Sequence, residues 1–453
     1  MNDSFDVAVV GLGPTGAVCT ALLGSLGLKT VAIEREQAVY DKPRAFALDH
    51  EIMRVFEDLG IADAVAPHTA PFTPSEYYGV DGQLIKRLGA LPPPWPLDWP
   101  PSMVFNQPAV DALLRDRAAA AAEIAFSELE TLVPRKDLVE LRLRDRTLTA
   151  KYVVGCDGAS STVRTALDME YEDLEFDQPW LVVDLLVSPR GLEKLPKVSI
   201  QYCEPARPST YLIGVGSHRR WELMLNENEE PDAWKLLSRW ITPDDAQLWR
   251  AASYRFHALV ARNWRRGRVF LAGDAAHQQP PFTGQGMCQG IRDAANLSWK
   301  LHYVLTGKAK ASLLDTYELE RKAHAKRLIS TVKDIGKVIC ERNVEKAQAR
   351  DRWHLAEAGG NVVTVPRQQL IPSLESGFVS SQPHPANGTL FPKDGGAGLR
   401  TVRLETSQGL VAEWFKQNTC AAAIVRPDHY VYGVARDEAA LDRMLKEMAK
   451  QLG

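Results

Sequence analysis

Val7-Ala8-Val9-Val10-Gly11-Leu12-Gly13-Pro14-Thr15-Gly16 is the stretch that decides how this chain folds. An apolar, β-prone run enters a glycine turn, and a segment of helical character follows. In a strand–turn–helix of this kind the first glycine permits the tight turn. The second lets a pyrophosphate approach the backbone, and the third allows the helix to pack closely on the strand. Glu34 ends the next apolar run, the position from which a carboxylate accepts hydrogen bonds from a ribose. The segment 5–34 is therefore expected to be strand, turn, helix and strand around a dinucleotide, the bland alternative being a chance glycine-rich turn. No charged residue lies between Asp6 and Lys29, which resembles a membrane span or a signal segment. Glycines and Pro14 interrupt that run and no basic region precedes it, so a buried strand and helix explain it better.

The 453 residues are enough for two or three domains. Apolar residues make up 45% and charged residues 25%, the balance of a soluble globular protein. Lys and Arg number 54 against 57 Asp and Glu, a net charge of −3, which argues against nucleic acid as a partner. Cys19, Cys156, Cys203, Cys288, Cys340 and Cys420 form no C-x-x-C pair or metal-like spacing, so neither a disulfide framework nor a metal site is expected. A reduced, cytoplasmic protein without a membrane partner is the plain reading.

Outward from the glycine turn, Asp49 to Leu59 has helical spacing and stops at Gly60. The proline-rich stretch 90–101 reads as a rigid surface excursion. Asn106 is placed to cap a helix with Pro108 in its first turn. Strands are expected at 138–145 and 147–156. Alternating apolar runs between about 174 and 257 suggest an antiparallel sheet. The dinucleotide-type texture returns at 268–306, a long charged helix is expected near 312–355, and 359–400 reads as a linker.

Two further motifs carry chemistry. Gly155-Cys156-Asp157-Gly158-Ala159-Ser160-Ser161 ends a buried strand; Asp157 either serves a ligand or satisfies the turn's own donors. Gly273-Asp274-Ala275-Ala276-His277 is followed by Pro280-Pro281-Phe282-Thr283-Gly284-Gln285-Gly286-Met287. There a strand delivers Asp274 to a turn, and a Pro/Gly loop opens a helix whose free N–H groups favour negative charge.

Together the three motifs resemble the flavoprotein aromatic hydroxylases, the single-component FAD-dependent phenol monooxygenases. The resemblance is closest to the 3-(3-hydroxyphenyl)propionate hydroxylase subgroup. Pro43-Arg44-Ala45, Leu48-Asp49, Phe105-Asn106-Gln107-Pro108, Arg292-Asp293-Ala294-Ala295-Asn296 and Val425-Arg426-Pro427-Asp428-His429-Tyr430 carry it further. It implies a mixed α/β and α+β chain: a Rossmann-like FAD-binding domain, an inserted antiparallel-sheet substrate domain and a small thioredoxin-like C-terminal domain. The implied segments are 1–70, 103–173 and 258–355 for FAD, 71–102 and 174–257 for substrate, and 359–453 for the third domain. It also implies that Gly11, Gly13, Pro14, Thr15 and Gly16 hold the FAD pyrophosphate and that Glu34 and Arg35 flank the ribose. Arg44 and Gln107 would contact the phosphate and ribityl region, while Asp157 and Gly158 would serve FAD and a transient nicotinamide. Gly273 and Asp274 would bind the ribityl chain, with Pro281 near the flavin N5. Gly284, Gln285, Gly286 and Met287 would stabilise negative charge at the N1–C2 edge.

The implied reaction consumes NADH or NADPH and O2 and hydroxylates a phenol through a flavin C4a-hydroperoxide, in a site closed to water. A base that deprotonates the phenol is useful; Asp49 and His50 are the first candidates, then His257, Tyr202 and Tyr211, while Asp49 also reads as a cap of the helix beginning at Glu51 and His257 as a structural histidine. Tyr202 and Tyr211 are candidate substrate contacts. A carboxylated substrate needs a cation, and Arg207, Arg219 and Arg220 are available, each also readable as a solvated surface residue. Cys420 has no C-x-x-C partner, so the third domain is expected to dock rather than exchange disulfides, and a homodimer is one arrangement open to it. A halogenase or disulfide reductase on the same fold lacks its signature here. The same chemistry on another phenol, or a non-hydroxylating flavoprotein, remains as an alternative.

Overall fold

Ser4–Val10 lies between two parallel neighbours, Thr147–Gly155 and Thr30–Glu34, and Val7, Ala8 and Val9 are buried on both faces. That is why the run is continuously apolar rather than alternating. The computed structural model describes residues 4–89 and 91–453. The start of the first expected segment (1–3) and Ala90, the first residue of the proline-rich stretch, lie outside the described residues.

The first sheet runs in the order Arg265–Arg266, Val269–Leu271, Thr147–Gly155, Ser4–Val10, Thr30–Glu34, Glu123–Phe126. Strands Leu129–Pro134 and Val139–Leu143 extend it as an antiparallel flap. Helix Pro14–Ser25 packs on helices Gln107–Ala119 and Gly286–Leu305. The glycine turn fits only glycine at its ends: a Cβ on Gly16 would stand 1.9 Å from the Gly11 carbonyl oxygen, and Gly11 has φ +92°.

The second sheet has nine strands, ordered His277–Gln278, Ala246–Ala261, Tyr171–Val187, His218–Met224, Ser209–Ile213, Ser199–Tyr202, Ser75–Tyr78, Leu84–Gly89, Thr364–Pro366. Most neighbours are antiparallel, as the alternating pattern predicts. One face carries Leu181, Val183, Tyr211, Trp221 and Leu223 into a core with Leu237 and Leu195. The other face looks toward the first sheet, and the site lies between them.

Several expectations need correction. Part of the predicted linker is structural: Thr364–Pro366 pairs in parallel with Leu84–Gly89 and forms an edge of the second sheet. The long charged helix is two, Asp315–Cys340 and Val344–Glu357, because the Asn343 side chain caps the second by accepting from the Lys346 N–H at 2.9 Å. Asn106 occupies the N-cap position of Gln107–Ala119 but makes no side-chain capping bond. The C-terminal unit is small, as expected: strands Arg400–Arg403, Ala422–Val425 and Val431–Ala435, all antiparallel, with helices Gly409–Gln417 and Glu438–Leu452.

That unit is docked through charge. Arg426 pairs with Glu320 and Asp428, both at 2.7 Å, and Lys300 pairs with Glu320 at 2.8 Å, all buried. Tyr430 donates to Glu51 at 2.5 Å. Glu51 in turn faces Arg292, whose guanidinium meets Asp49 at 2.5 Å, Glu51 at 2.6 Å and Gln285 at 2.9 Å. Burial pushes the Asp49 carboxyl up, but Arg292 outweighs it and holds the group below the ordinary carboxylate value. Arg292→Met strands two buried carboxylates, so urea unfolding should show a loss of about 3–5 kcal/mol at neutral pH. Because the Asp49 pKa is depressed, the wild-type advantage should shrink as pH falls through the carboxylate range.

Candidate active site

Between the two sheets lies a cavity of about 1220 Å³, bounded by Gly11–Thr15 at one end and Phe72, Gln201 and Leu212 at the other. An ordinary single-ligand pocket holds roughly 300–1,000 Å³, so this one has room for a dinucleotide and a second molecule.

The dinucleotide end is built by the glycine turn. A Cβ on Gly13 would meet nothing within 4 Å, so the middle glycine alone of the three opens onto free space. Glu34 accepts from the Leu12 N–H at 2.7 Å and the Glu36 N–H at 2.9 Å, which fixes its carboxylate beside the turn. Arg115, which the sequence reading missed, donates to the Leu12 carbonyl at 3.2 Å and stands 3.7 Å from Glu34. Arg35 lines the same end, largely exposed.

Arg44 stacks over Tyr40 at 5.4 Å. Gln107 accepts from the Arg44 and Ala45 N–H groups, each at 2.6 Å, so it holds that strap by its backbone. Arg220 supports it from the second sheet: it pairs with buried Asp184 at 2.7 Å and donates to the carbonyls of Arg44 at 2.9 Å and Pro43 at 3.1 Å. Asp157 lines the cavity but accepts from Ser161 Oγ at 2.5 Å and the Val163 N–H at 3.0 Å, satisfying its own turn. Burial nevertheless pushes its pKa up.

Asp274 is the exposed member of its otherwise buried turn: it lines the cavity, and its carboxylate accepts no hydrogen bond from a described residue. The protein packed around the turn keeps water from fully solvating the carboxyl group and raises its pKa, despite the nearby His277 and Arg44. A free carboxylate there suits hydroxyl donors of a polyol. Pro281, Gly284, Gly286 and Met287 also line the cavity, and Gly286 starts a 20-residue helix with open space before it. Its unpaired N–H groups favour negative charge. Gln285 turns away to Arg292, and the Gly273 N–H is used by Asp293 at 3.0 Å. The hollowed Gly13 and Gly286 positions and the unpartnered Asp274 carboxylate together fit FAD.

At the substrate end four expectations fail on geometry. Asp49 and His50 lie outside the cavity wall: Asp49 caps helix His50–Asp58 and is paired with Arg292, and burial pulls the His50 pKa down. Tyr202 and Tyr211 point to the opposite face, where Tyr202 meets Trp240 and Tyr211 packs on Trp221. Their neighbours Gln201 and Leu212 face the cavity instead, as strand alternation requires. His257 does line the cavity, with Nδ1 3.8 Å from Asp177. Of the three cations considered, Arg207 is paired with Glu229, Arg219 with the Gly216 and His218 carbonyls, and Arg220 with Asp184.

Two further residues, at the substrate end, were missed. Glu222 is buried in the cavity wall, with only Thr210 Oγ1 donating to it at 3.4 Å, and burial pushes its pKa up to about 7. Arg367 enters from the segment read as linker. Glu222 sits two residues from Arg220 on the cavity face of one strand, which alternation would have flagged once the face was known.

This fold and site define a flavin-binding protein with a Rossmann-type sheet and a separate substrate sheet. A family model described as FAD binding domain matches residues 4–332, and one described as HcaD C-terminal domain matches 340–451. The chain belongs to the FAD-dependent aromatic hydroxylases, which are flavoprotein monooxygenases. It is 33% identical to a probable NADH-specific resorcinol 4-hydroxylase of Rhodococcus jostii (strain RHA1), over 98% of this chain and 94% of that protein. It is 34% identical to a 3-(3-hydroxy-phenyl)propionate/3-hydroxycinnamic acid hydroxylase of Mycolicibacterium smegmatis, over 85% of this chain and 72% of that one. In fold it is similar to the flavin-dependent monooxygenase PieE, solved in complex with FAD and substrate, with a TM-score of 0.80, 19% identity and both chains fully covered. No helix among the described residues is long and apolar enough to cross a membrane.

Asp274→Ala should weaken FAD retention by roughly 10- to 100-fold, the range of a lost charge-assisted hydrogen bond. The ratio of flavin absorbance to protein after gel filtration measures it.

Proposed function

We propose that this chain hydroxylates a phenol bearing a polar ring substituent, using NADH or NADPH and O2. The observation that carries the reading is one continuous cavity joining a dinucleotide end to a largely apolar end whose wall holds the buried carboxyl group of Glu222. Bound FAD supplies hydride acceptance from the nicotinamide and activation of O2. The N–H groups of Gly286 and Met287 stabilise negative charge on the ring edge beside them. Asp274 and Arg44 hold the polar arm, and Glu34 with Arg115 takes the ribose end.

The apolar wall, with Leu88, Val182 and Leu212, keeps water from the ring. Glu222 accepts the phenol's proton: a carboxyl with a pKa of about 7 is part ionised at neutral pH and close to the optimum for a general base.

One glycine fingerprint serves FAD, so the nicotinamide binds transiently in the same cleft, beside Asp157 and Gly158. Resorcinol and 3-(3-hydroxyphenyl)propionate, named for the relatives, are the substrate types to try first. The segments 71–102 and 174–257, joined by 364–366, form the substrate domain in this reading. Six free cysteines fit a reducing cytoplasm, and a homodimer is the assembly we expect.

With the purified holoenzyme, a true substrate should accelerate NADH oxidation and yield hydroxylated product with little peroxide. Stimulation with peroxide alone, or none with any phenol, would instead favour a non-hydroxylating flavoprotein. Glu222→Gln should lower kcat/KM by roughly 100-fold and remove the limb of its pH profile near 7.

A further inference from the structure

Eight arginines are buried among the described residues, and seven have an acceptor. Arg54, Arg220, Arg250, Arg292, Arg321 and Arg426 each meet a carboxylate, and Arg164 donates to the Ala159 carbonyl and Tyr171. Arg367 has no hydrogen-bond acceptor or ion-pair partner among the described residues, although it is only 8% exposed. An enclosed guanidinium with five unused donors is costly unless something in the cavity meets it.

Its position is fixed. The preceding Thr364–Pro366 strand is paired to Leu84–Gly89, and the following Gln368 donates to Ser102 Oγ at 2.8 Å. The guanidinium lies over the Phe72 ring at 4.3 Å, which sets its plane without using its N–H groups. A Cβ on Gly284 would stand 3.1 Å from Nη2, so the cation sits beside the loop that carries the flavin edge. Asp49, the carboxylate whose charge acts on it, is committed to Arg292.

We propose that Arg367 is the specificity-determining cation of the substrate cavity, and that the phenol taken by this enzyme carries a carboxylate or another planar anion on its ring substituent. The inference rests on the phenol-hydroxylase reading and deepens it. The planar fork matches a carboxylate in bidentate geometry, which a neutral hydroxyl cannot exploit. The cation comes from beyond residue 340, so the C-terminal segment completes a site whose remaining wall belongs to the FAD-binding region and the second sheet.

The test compares 3-phenylpropionate, an anionic aromatic that lacks the reactive hydroxyl, with its uncharged amide, by calorimetry on apoprotein and holoenzyme. The wild type should bind the acid roughly 10- to 100-fold more tightly than the amide. In Arg367→Met that ratio should collapse toward one, and Arg367→Lys, which keeps the charge but not the fork, should fall between them. Thermal unfolding of each variant separates a folding defect from lost recognition. Equal binding of acid and amide by the wild type overturns the proposal. So does a variant that weakens both ligands alike while shifting the flavin absorbance, which would assign Arg367 to the cofactor. Failure of every phenol to stimulate NADH oxidation defeats the hydroxylase reading alone, because the binding ratio is read without turnover.

Discussion

Two adjacent side chains on helix Gly286–Leu305 hold the site together, and they do so by facing opposite ways. Arg292 reaches Asp49 and Glu51 on the segment after the Arg44 strap, and also Gln285 at the helix's own start. Asp293 accepts from the Gly273 N–H, lies 2.8 Å from His277 Nε2 and pairs with Arg321. Burial pushes the Asp293 carboxyl up, yet His277 and Arg321 outweigh it and hold it down. One helix turn thereby fixes the loop that presents Asp274, the loop that presents Gly284–Met287, and the helix that follows Asp49. Buried ion pairs of this sort contribute little net stability against apolar packing, but they penalise any other arrangement, because a displaced partner is left charged and unsolvated.

The C-terminal unit extends the same network. Tyr430 donates to Glu51, Glu51 to Arg292 is an ion pair, and Arg292 donates to Gln285, next to the helix start that lines the cavity. Arg54 donates to the Phe391 carbonyl and pairs with Asp394 from the other side. Through these contacts the unit packs behind the Gly284–Met287 loop, while its leading segment places Arg367 in the cavity wall.

How much of this was legible depends on how local each feature is. The glycine turn, Glu34 and Asp274 sit in motifs whose backbone geometry is specified within about ten residues, and their placement follows from the motif. The substrate wall was not legible residue by residue. Tyr211 and Leu212 are neighbours on one strand whose two faces are both covered, so composition gave no clue to which faces the cavity, and a shift of one residue exchanges the answer. Asp49 reads equally well as a cap or a base; its partner Arg292 is 243 residues away, and only tertiary packing decides between them. The Gly/Pro/Ser texture of 359–400 correctly signals irregular chain, but texture says nothing about where such a chain goes.

The cavity's two ends also differ in how their charges are handled, and that difference bears on specificity. At the cofactor end nearly every charge has a fixed partner: Glu34 with backbone donors, Arg220 with Asp184, Asp157 with its own turn. Asp274 is left open, and FAD hydroxyls are the donors that suit it. At the substrate end Glu222 and Arg367 are likewise left without a full set of partners, one acidic and one basic, on walls that include Phe72, Leu88, Val182 and Leu212. Interiors do not retain such groups for stability. Left open together in one cavity, they describe the complement of a molecule with a dissociable hydroxyl and an anionic arm, which is a narrower description than the family's shared fold can give.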